Sequence, residues 1–136
     1  MTHAPGPIAR VLVADDDPGV LRSMTSALGR AGFDVTAADD GAPAIALSDA
    51  AFELVVVDLN MRTGGLAVVQ HYKQRYGTAV YCAVLSGEDD ESTRAACLAA
   101  GADAVFVKPV PASVLRLRLR EAAAALHGAA AIERSA

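Results

Sequence analysis

The sequence is poor in aromatic residues, cysteine and long apolar runs. Aromatic residues make up 4% of its 136 positions and tryptophan is absent, so a core must be built from aliphatic side chains. The two cysteines, Cys82 and Cys97, form no CxxC pair, which argues against a disulfide framework and against a zinc site. No apolar run reaches the ~18 residues that a membrane-spanning helix needs, which argues against a membrane protein.

Basic residues are also scarce. The formal net charge is −4, which argues against a protein that binds nucleic acid directly. The first residues lack the charged-then-apolar pattern of a signal peptide, and a cytoplasmic, reducing location fits best. The apolar fraction of 53%, the charged fraction of 21% and the length are those of one globular domain.

Five apolar runs alternate with helical patterns along the chain. They cover residues 11–14, 35–38, 54–57, 79–85 and 104–107. All but the second are nearly unbroken, which is typical of parallel strands buried on both faces by helices. We therefore expect one domain over residues 8–127, a flexible N-terminal tail over residues 1–7 and a C-terminal tail over residues 128–136.

Apolar side chains between these runs recur at helical spacing. The final segment is ambiguous, because leucine alternates with arginine over residues 115–120 as in a strand, but the alanines that follow favour a helix. Five β–α units predict an open α/β sheet with five helices on its two faces. Right-handed crossovers and the expected strand order 2-1-3-4-5 place strands one, three, four and five side by side.

Polar side chains with complementary chemistry end the predicted strands. Asp15 and Asp16 follow the first strand and Asp58 follows the third, so these carboxylates should crowd at one edge of the sheet. Crowded carboxylates repel one another, and a hard cation such as Mg²⁺ (or Mn²⁺) relieves the repulsion. Ser86 and Lys108 add a hydroxyl and an ammonium. This set indicates phosphoryl transfer, with Asp58 as the nucleophile.

Four segments in this order resemble the receiver domain of two-component response regulators. They are VLVADDDP at 11–18, VVVDLNM at 55–61, LSG at 85–87, and AGAD at 100–103 leading to Lys108 and Pro109. The resemblance covers most of the chain. It implies a flavodoxin-like three-layer sandwich and a signalling domain of a phosphorelay rather than an enzyme with a separate substrate.

The resemblance also implies roles for the residues that match the family motifs. Asp58 corresponds to the phospho-accepting aspartate, Ser86 to the switch hydroxyl, and Lys108 to the lysine that pairs with the acceptor. Asp15, Asp16 and Asp58 would hold Mg²⁺ together with the backbone carbonyl of Asn60. The phosphoryl donor would be a histidine kinase or a histidine phosphotransfer protein, and an unknown downstream protein would read the surface of helices 4 and 5.

The sequence departs from the family pattern at two places near these motifs. Arg62 stands where the family usually has proline, in a loop that is one residue short. Val105 stands where the family usually has an aromatic switch residue. Phe106 is adjacent, but neighbouring strand residues point to opposite faces, so it does not substitute. No output domain follows the last predicted helix within the sequence.

Two other functions stay open on the sequence alone. The Asp15-x-Asp17 spacing is typical of haloacid-dehalogenase phosphatases, although the later acidic motif of that family is missing and Asp17 also suits the cap of the first helix. A binding module with a receiver fold and no phosphorylation would explain Val105. A homodimer through helix 4, strand 5 and helix 5 is a further possibility, with the arginines of residues 116–120 pairing with acidic residues of a second copy.

The remaining candidate residues have plain structural interpretations. We interpret the three histidines, His3, His71 and His127, as surface residues, and both cysteines as small buried apolar groups. The acidic run over residues 88–91 is interpreted as the solvated first turn of the fourth helix. Glu88 could also influence how water reaches a phosphate on Asp58.

Overall fold

A computed structural model describes residues 6–135, with the backbone alone for residues 131–135. Strands and helices alternate along this part of the chain: β1 (Arg10–Ala14), α1 (Pro18–Arg30), β2 (Asp34–Ala38), α2 (Gly41–Ala46), β3 (Leu54–Asp58), α3 (Gly65–Tyr76), β4 (Tyr81–Ser86), α4 (Glu91–Ala99), β5 (Ala104–Val107) and α5 (Ala112–Ser135). Short 3₁₀ turns, Ser48–Ala50 and Gly77–Ala79, follow α2 and α3.

The five strands form one parallel sheet in the order β2-β1-β3-β4-β5. This confirms the predicted α/β class and strand order. The order places β1, β3 and β4 inside the sheet, where their apolar side chains are buried. The edge strands β2 and β5 are partly exposed. The expectation that the fifth strand is buried on both faces is therefore wrong, because β5 has a neighbour on one side only.

Alternate side chains of the inner strands feed two cores, one on each face of the sheet. Leu12, Val55 and Val84 pack with α3 and with Cys97 of α4 on one face. Their chain neighbours, such as Val11 and Val56, pack with α1 and α5 on the other face. Each fully buried valine or leucine side chain contributes about 1.5–3 kcal/mol to the stability of the fold. Because the same three strands supply both cores, they stabilise the helix layers on both faces.

Two predicted boundaries shift. The fourth strand begins at Tyr81 because Ala79 belongs to the preceding 3₁₀ turn. The fourth helix begins at Glu91 rather than at Glu88, because the Asp90 side chain accepts a hydrogen bond from the Thr93 N–H (2.6 Å) and caps the helix. The interpretation of residues 88–90 as part of the first turn is therefore wrong.

The ambiguous final segment is helical. Leu115 and Leu119, one turn apart, are buried, whereas Leu117 is 57% exposed, so the strand-like alternation hides a helical stripe. The helix continues to Ser135, through residues 128–135, which the sequence analysis assigns to a C-terminal tail. Most of the predicted N-terminal tail lies outside the described residues. In the described chain, no helix combines the length and apolarity that a membrane span requires.

Candidate functional site

The predicted site residues lie at neighbouring strand ends. Asp58 is the last residue of β3, and Asp15 directly follows β1, which pairs with β3. Ser86 is the last residue of β4, and Lys108 directly follows β5, which pairs with β4. The strand order therefore brings side chains from four segments of the chain to one edge of the sheet.

Three carboxylates form a cluster at this edge. One oxygen from each of Asp15, Asp16 and Asp58 lies within 4.8 Å of the other two. Asp15 and Asp58 are 1% and 4% exposed, whereas Asp16 is exposed. Two of the three negative charges are thus held away from water, close enough to repel each other.

The environment of Asp15 disfavours its charge. Burial raises the pKa of Asp15, the hydrogen bond from the Asp17 N–H (2.9 Å) lowers it, and the nearby Asp58 carboxylate raises it again, with a net upward direction. A cation beside Asp15 would therefore stabilise the ionised form of its carboxyl group.

Lys108 supplies a positive charge at the same edge. Its Nζ lies 2.8 Å from Asp58 Oδ1, and its own N–H donates to the Ser86 carbonyl oxygen (2.7 Å). Partial burial lowers the pKa of Lys108, but the contact with Asp58 and the charges of the three carboxylates outweigh it and raise that pKa overall. Lys108 is therefore a fixed ammonium rather than a proton donor or acceptor at neutral pH.

The cluster fits a hard divalent cation. Asp15 Oδ2 is buried and accepts no hydrogen bond from the described residues. Asp58 Oδ1 is also buried, and its partner is the Lys108 ammonium, 2.8 Å away. Buried carboxylate oxygens without donors are costly unless a cation meets them. Carboxylate oxygens with one exposed member are the donor set that Mg²⁺ takes while keeping waters.

Ser86 lies at the predicted place, and its hydroxyl is engaged locally. The side chain is fully buried, and its Oγ accepts from the Glu88 N–H (3.0 Å) and lies 3.1 Å from the Glu88 carbonyl oxygen. The hydroxyl therefore holds the β4–α4 loop, of which Glu88 is an exposed member.

The loop between β3 and α3, residues 59–64, carries Asn60 and the unusual Arg62, both exposed. Its start is fixed by the Leu59 N–H, which donates to the Leu85 carbonyl oxygen (2.9 Å). Its end is fixed by Gly65, where an added β-carbon would lie 2.5 Å from the Asp58 carbonyl oxygen. This close approach requires glycine.

Asp40 anchors the same loop, and the sequence analysis missed this role. Asp40 Oδ1 accepts a hydrogen bond from the Thr63 N–H (2.8 Å). That bond is the main reason why the pKa of Asp40 is lowered, with help from the Gly41 N–H. The sequence signal for this role was the Asp40-Gly41 pair. It follows β2, the strand next to β1, and β1 leads into the acidic cluster.

Val105 and Phe106 face opposite sides of the sheet, as predicted. Val105 packs against the cluster that contains Cys97 and α3, and Phe106 packs against the cluster that contains α1 and α5. Both are partly exposed. No aromatic ring of β5 therefore lies on the side of the sheet that α4 covers.

The other residues singled out in the sequence have structural roles. His71 is only partly exposed, and its Nε2 lies 2.9 Å from Ser48 Oγ. His127 is exposed and pairs with Glu53. His3 lies outside the described residues. Both cysteines are fully buried, as predicted, and burial raises the pKa of Cys82 to about 12.

Asp17 and Arg120 hold helix ends. Asp17 Oδ1 accepts from the N–H groups of Gly19 (2.9 Å) and Val20 (3.2 Å), so it is the predicted N-cap of α1. Arg120 donates to the Ala31 carbonyl oxygen (3.1 Å) at the other end of α1. Arg120, although exposed, therefore joins α5 to α1.

An apolar groove of about 800 Å³ opens beside the site, between α1 and α5. Its apolar lining comes mostly from α1 and from the residues after β5, such as Val20, Met24 and Val110, and Asp17 and Lys108 also contribute. Val20 is 38% exposed. The groove is therefore continuous with the edge of the sheet at which the acidic cluster lies.

Comparison with known families identifies the family of the chain. The family model of the response regulator receiver domain matches residues 11–120. The chain belongs to this family. The matched span runs from β1 into α5 and includes every residue of the proposed site.

Curated relatives carry the same domain in longer proteins. The transcriptional regulatory protein PrrA of Mycobacterium tuberculosis is 37% identical over 113 residues, which cover 82% of this chain and 48% of PrrA. The virulence sensor protein BvgS of Bordetella bronchiseptica is 36% identical over 125 residues, which cover 85% of this chain and 10% of BvgS. The chain spans about half the length of the first of these relatives and far less of the second.

Solved structures agree with the fold. The chemotaxis protein CheY4 of Vibrio cholerae superposes with a TM-score of 0.78 and 26% identity, over 84% of this chain and 98% of that chain. A CheY-like receiver domain from Methanospirillum hungatei superposes with a TM-score of 0.82 over 88% and 97% of the two chains, at 23% identity. The chain is therefore a receiver domain in fold as well as in sequence.

Proposed function

We propose that this receiver domain accepts a phosphoryl group on Asp58, in a reaction that depends on Mg²⁺ (or Mn²⁺), from a phosphohistidine of a histidine kinase or phosphotransfer protein. The observation that carries the proposal is the Lys108 ammonium, 2.8 Å from the buried Asp58 Oδ1, inside a cluster of three carboxylates. Phosphoryl transfer needs this combination of nucleophile and fixed charge.

The transfer exchanges one bond to phosphorus for another. An Asp58 carboxylate oxygen forms a P–O bond while the P–N bond of the donor breaks, and the electron pair of that bond stays on the imidazole nitrogen of the donor. The Lys108 ammonium faces the acceptor and would pair with a phosphoryl oxygen once Asp58 is esterified. Burial of Asp58 limits the access of water to the acyl phosphate.

The acidic cluster would hold the cation. Asp15, Asp16 and Asp58 supply carboxylate oxygens, and we assign the backbone carbonyl of Asn60 as a further ligand. The bound cation would neutralise charge on the phosphoryl oxygens. The buried Asp15 Oδ2, which accepts no hydrogen bond from the described residues, supports this assignment.

The output surface would be that of α4 and α5. All nine residues of α4 are described, and Cys97 is the one that is buried, so this helix is weakly held and its position can be shifted at low cost. Ser86 ends β4 and fixes the loop that leads into α4 through Glu88. We infer that a phosphoryl group on Asp58 draws the Ser86 hydroxyl away from Glu88 and shifts α4.

The groove between α1 and α5 would receive the phosphodonor protein. It is apolar, and Lys108 contributes to both the groove and the acceptor site. A donor whose histidine reaches Asp58 from this side would cover the groove. An apolar helix face on the donor is the chemistry that the groove fits.

A second copy could pair through α4, β5 and α5. Large apolar side chains are exposed on these three elements: Leu98, Val107, Val114 and Leu117. Light scattering with and without beryllofluoride tests the homodimer. A Leu117→Arg variant should remain monomeric if this face is the interface.

A small phosphodonor tests the proposed function directly. Acetyl phosphate and Mg²⁺ should add one phosphoryl group to the wild-type protein and none to Asp58→Asn, as read by intact mass. Equal labelling of both proteins would exclude Asp58 as the acceptor. A protein that binds neither Mg²⁺ nor beryllofluoride would instead be a binding module with a receiver fold.

The phosphatase alternative is not favoured. Its attraction is Asp17, two positions after Asp15, but the Asp17 carboxylate is engaged as the cap of α1. The family match and the relatives are those of signalling domains.

A further inference from the structure

Asp40 has an unusual use of its side chain. It occupies the N-cap position of α2 but makes no regular capping hydrogen bond to that helix, although the adjacent Gly41 N–H helps to lower its pKa. An aspartate at this position normally accepts from the amides of its own first turn. Here the carboxylate accepts from the Thr63 N–H (2.8 Å), 23 positions along the chain. The bond reaches from the edge strand β2 to the loop after β3, across the end of β1.

The carbonyl side of Thr63 is also confined. A β-carbon added at Gly41 would lie 2.4 Å from the Thr63 carbonyl oxygen, so the start of α2 packs directly against this backbone. Arg62 adds a favourable charge beside Asp40. The Asp40-Gly41 pair therefore bonds the N–H of Thr63 and abuts its carbonyl.

The hydrogen bond to Asp40 and the contact with Gly41 complete the anchoring of the β3–α3 loop. The loop begins at Leu59, which is bonded to Leu85, and ends where the Gly65 N–H donates to the Leu59 carbonyl oxygen (3.3 Å). These bonds close the base of the loop. Between them lies Asn60, whose backbone carbonyl the proposed function assigns to the cation, and Thr63 is the point at which the tip of the loop is tied to another element.

We propose that Asp40 is a positioning residue for the cation site, because its hydrogen bond to Thr63 holds the loop that presents the Asn60 carbonyl. This inference rests on the proposed function, since it takes that carbonyl as a ligand. Asp40 is not one of the three carboxylates of the acidic cluster. Outer partners that orient a ligand commonly affect metal affinity without touching the metal.

The experiment separates the hydrogen bond from the charge. Asp40→Ala removes both, Asp40→Asn keeps an acceptor oxygen without the charge, and Asp39→Ala removes a charge from the exposed neighbouring residue. The Mg²⁺ dissociation constant of each folded protein is measured by titration of ¹⁵N-labelled samples, in which the Thr63 amide shift reports the bond. The rate of phosphorylation by acetyl phosphate is measured in parallel.

We expect Asp40→Ala to raise the Mg²⁺ dissociation constant about tenfold, as loss of an outer partner commonly does. Asp40→Asn and Asp39→Ala should stay within about twofold of the wild type, because an uncharged acceptor keeps the bond and one distant charge is screened. Gly41→Ala, which displaces Thr63 by steric contact, should weaken Mg²⁺ binding as well, and it tests the inference if Asp40→Ala does not fold.

Two results would overturn the inference. One is unchanged Mg²⁺ affinity in a folded Asp40→Ala protein whose Thr63 amide shift shows that the bond is lost. The other is equal weakening by Asp40→Asn and Asp40→Ala, which would assign the effect to charge. Failure of the wild-type protein to bind Mg²⁺ would instead refute the proposed function, and the two failures are therefore distinguishable.

Discussion

Gly65 approaches the backbone of Asp58 so closely that any larger residue must displace it. A β-carbon at Gly65 would lie 2.5 Å from the Asp58 carbonyl oxygen and 3.2 Å from the Leu59 Cα, and neither backbone atom can turn aside as a side chain could. The first turn of α3 is thus pressed against the proposed phosphoryl acceptor. The geometry of the site depends on the absence of a side chain at this position.

Substitution of Gly65 by alanine should therefore damage both stability and the site. We expect Gly65→Ala to lower the free energy of unfolding by about 2 kcal/mol, as overpacking does, and to slow phosphorylation by acetyl phosphate. Gly64→Ala is the matched control, because a β-carbon there would meet nothing within 4 Å. Urea unfolding measures the difference. Equal stability of the two variants would show that the backbone at Asp58 and Leu59 can move to accommodate a β-carbon at little cost.

Neutralisation of Asp15 should stabilise the metal-free protein while it removes function. Asparagine keeps the oxygen that accepts from the Asp17 N–H but removes a buried charge that Asp58 repels. We expect Asp15→Asn to raise the free energy of unfolding by about 1 kcal/mol in EDTA and to abolish the stabilisation by Mg²⁺.

The control for this prediction is Asp16→Asn, because Asp16 is exposed and its charge is solvated. That variant should change the metal-free stability little. If Asp15→Asn destabilises the protein in EDTA, the Asp15 charge is satisfied within the chain and no cation is required.

The cap of α4 should give the stability of the protein a component that depends on pH. The N–H and hydroxyl of Thr93 bond the Asp90 carboxylate and lower the pKa of Asp90 below 3.8. A carboxyl group whose pKa is lower in the folded state stabilises the protein at every pH above its pKa in the unfolded state. That stabilisation is lost as the pH falls through its pKa in the folded state.

Melting temperatures between about pH 3 and pH 7 test the cap, since that range spans the ordinary pKa of aspartate. Asp90→Ala should melt a few degrees lower than the wild type at pH 7, and the gap should narrow toward pH 3. Asp89→Ala removes an exposed neighbouring carboxylate outside the cap and should show no such gap. A gap for Asp90→Ala that does not change with pH would exclude the ionised cap.

A substitution in the apolar groove between α1 and α5 should distinguish protein phosphodonors from small ones. Val20→Arg places a charge in the apolar groove between α1 and α5, at an exposed residue that is not part of the acidic cluster. Phosphorylation by acetyl phosphate should stay unchanged. Transfer from a phosphorylated histidine phosphotransfer protein should slow by about tenfold, because the loss of an apolar anchor residue weakens the binding of a protein partner by about this factor. A uniform effect on both donors would place the damage at the acceptor site.

The fold and the strand-end residues were predictable because they follow from local rules. Unbroken apolar runs mark the strands β1, β3, β4 and β5, and the parallel topology brings their carboxyl ends together. Asp15, Asp58 and Lys108 could therefore be placed in one site before any coordinates. The Asp17 cap was predictable from its position before Pro18.

The contacts between loops were not predictable, because they depend on distances that no local pattern encodes. The bond from Asp40 to Thr63 joins residues whose approach is set by how α2 packs on the β3–α3 loop. Asp103 belongs to a family motif, and only the structure shows that its carboxylate meets the Lys73 ammonium (2.6 Å) and the Cys82 N–H (2.8 Å).

The start of α4 was misplaced for a similar reason. Four acidic residues in a row all suit a first turn, and the choice of Asp90 as the cap is made by the hydroxyl and amide of Thr93. The half-buried position of His71 likewise depends on the 3₁₀ turn that brings Ser48 to it.

A crystal structure of the protein with Mg²⁺ and beryllofluoride tests the central claim most directly. The account predicts beryllofluoride bonded to an Asp58 carboxylate oxygen, the Lys108 ammonium on a fluorine, and Mg²⁺ in contact with Asp15, Asp16 and Asp58. Beryllofluoride and Mg²⁺ absent from this pocket, in crystals soaked at saturating concentration with the strand ends open to solvent, would contradict it.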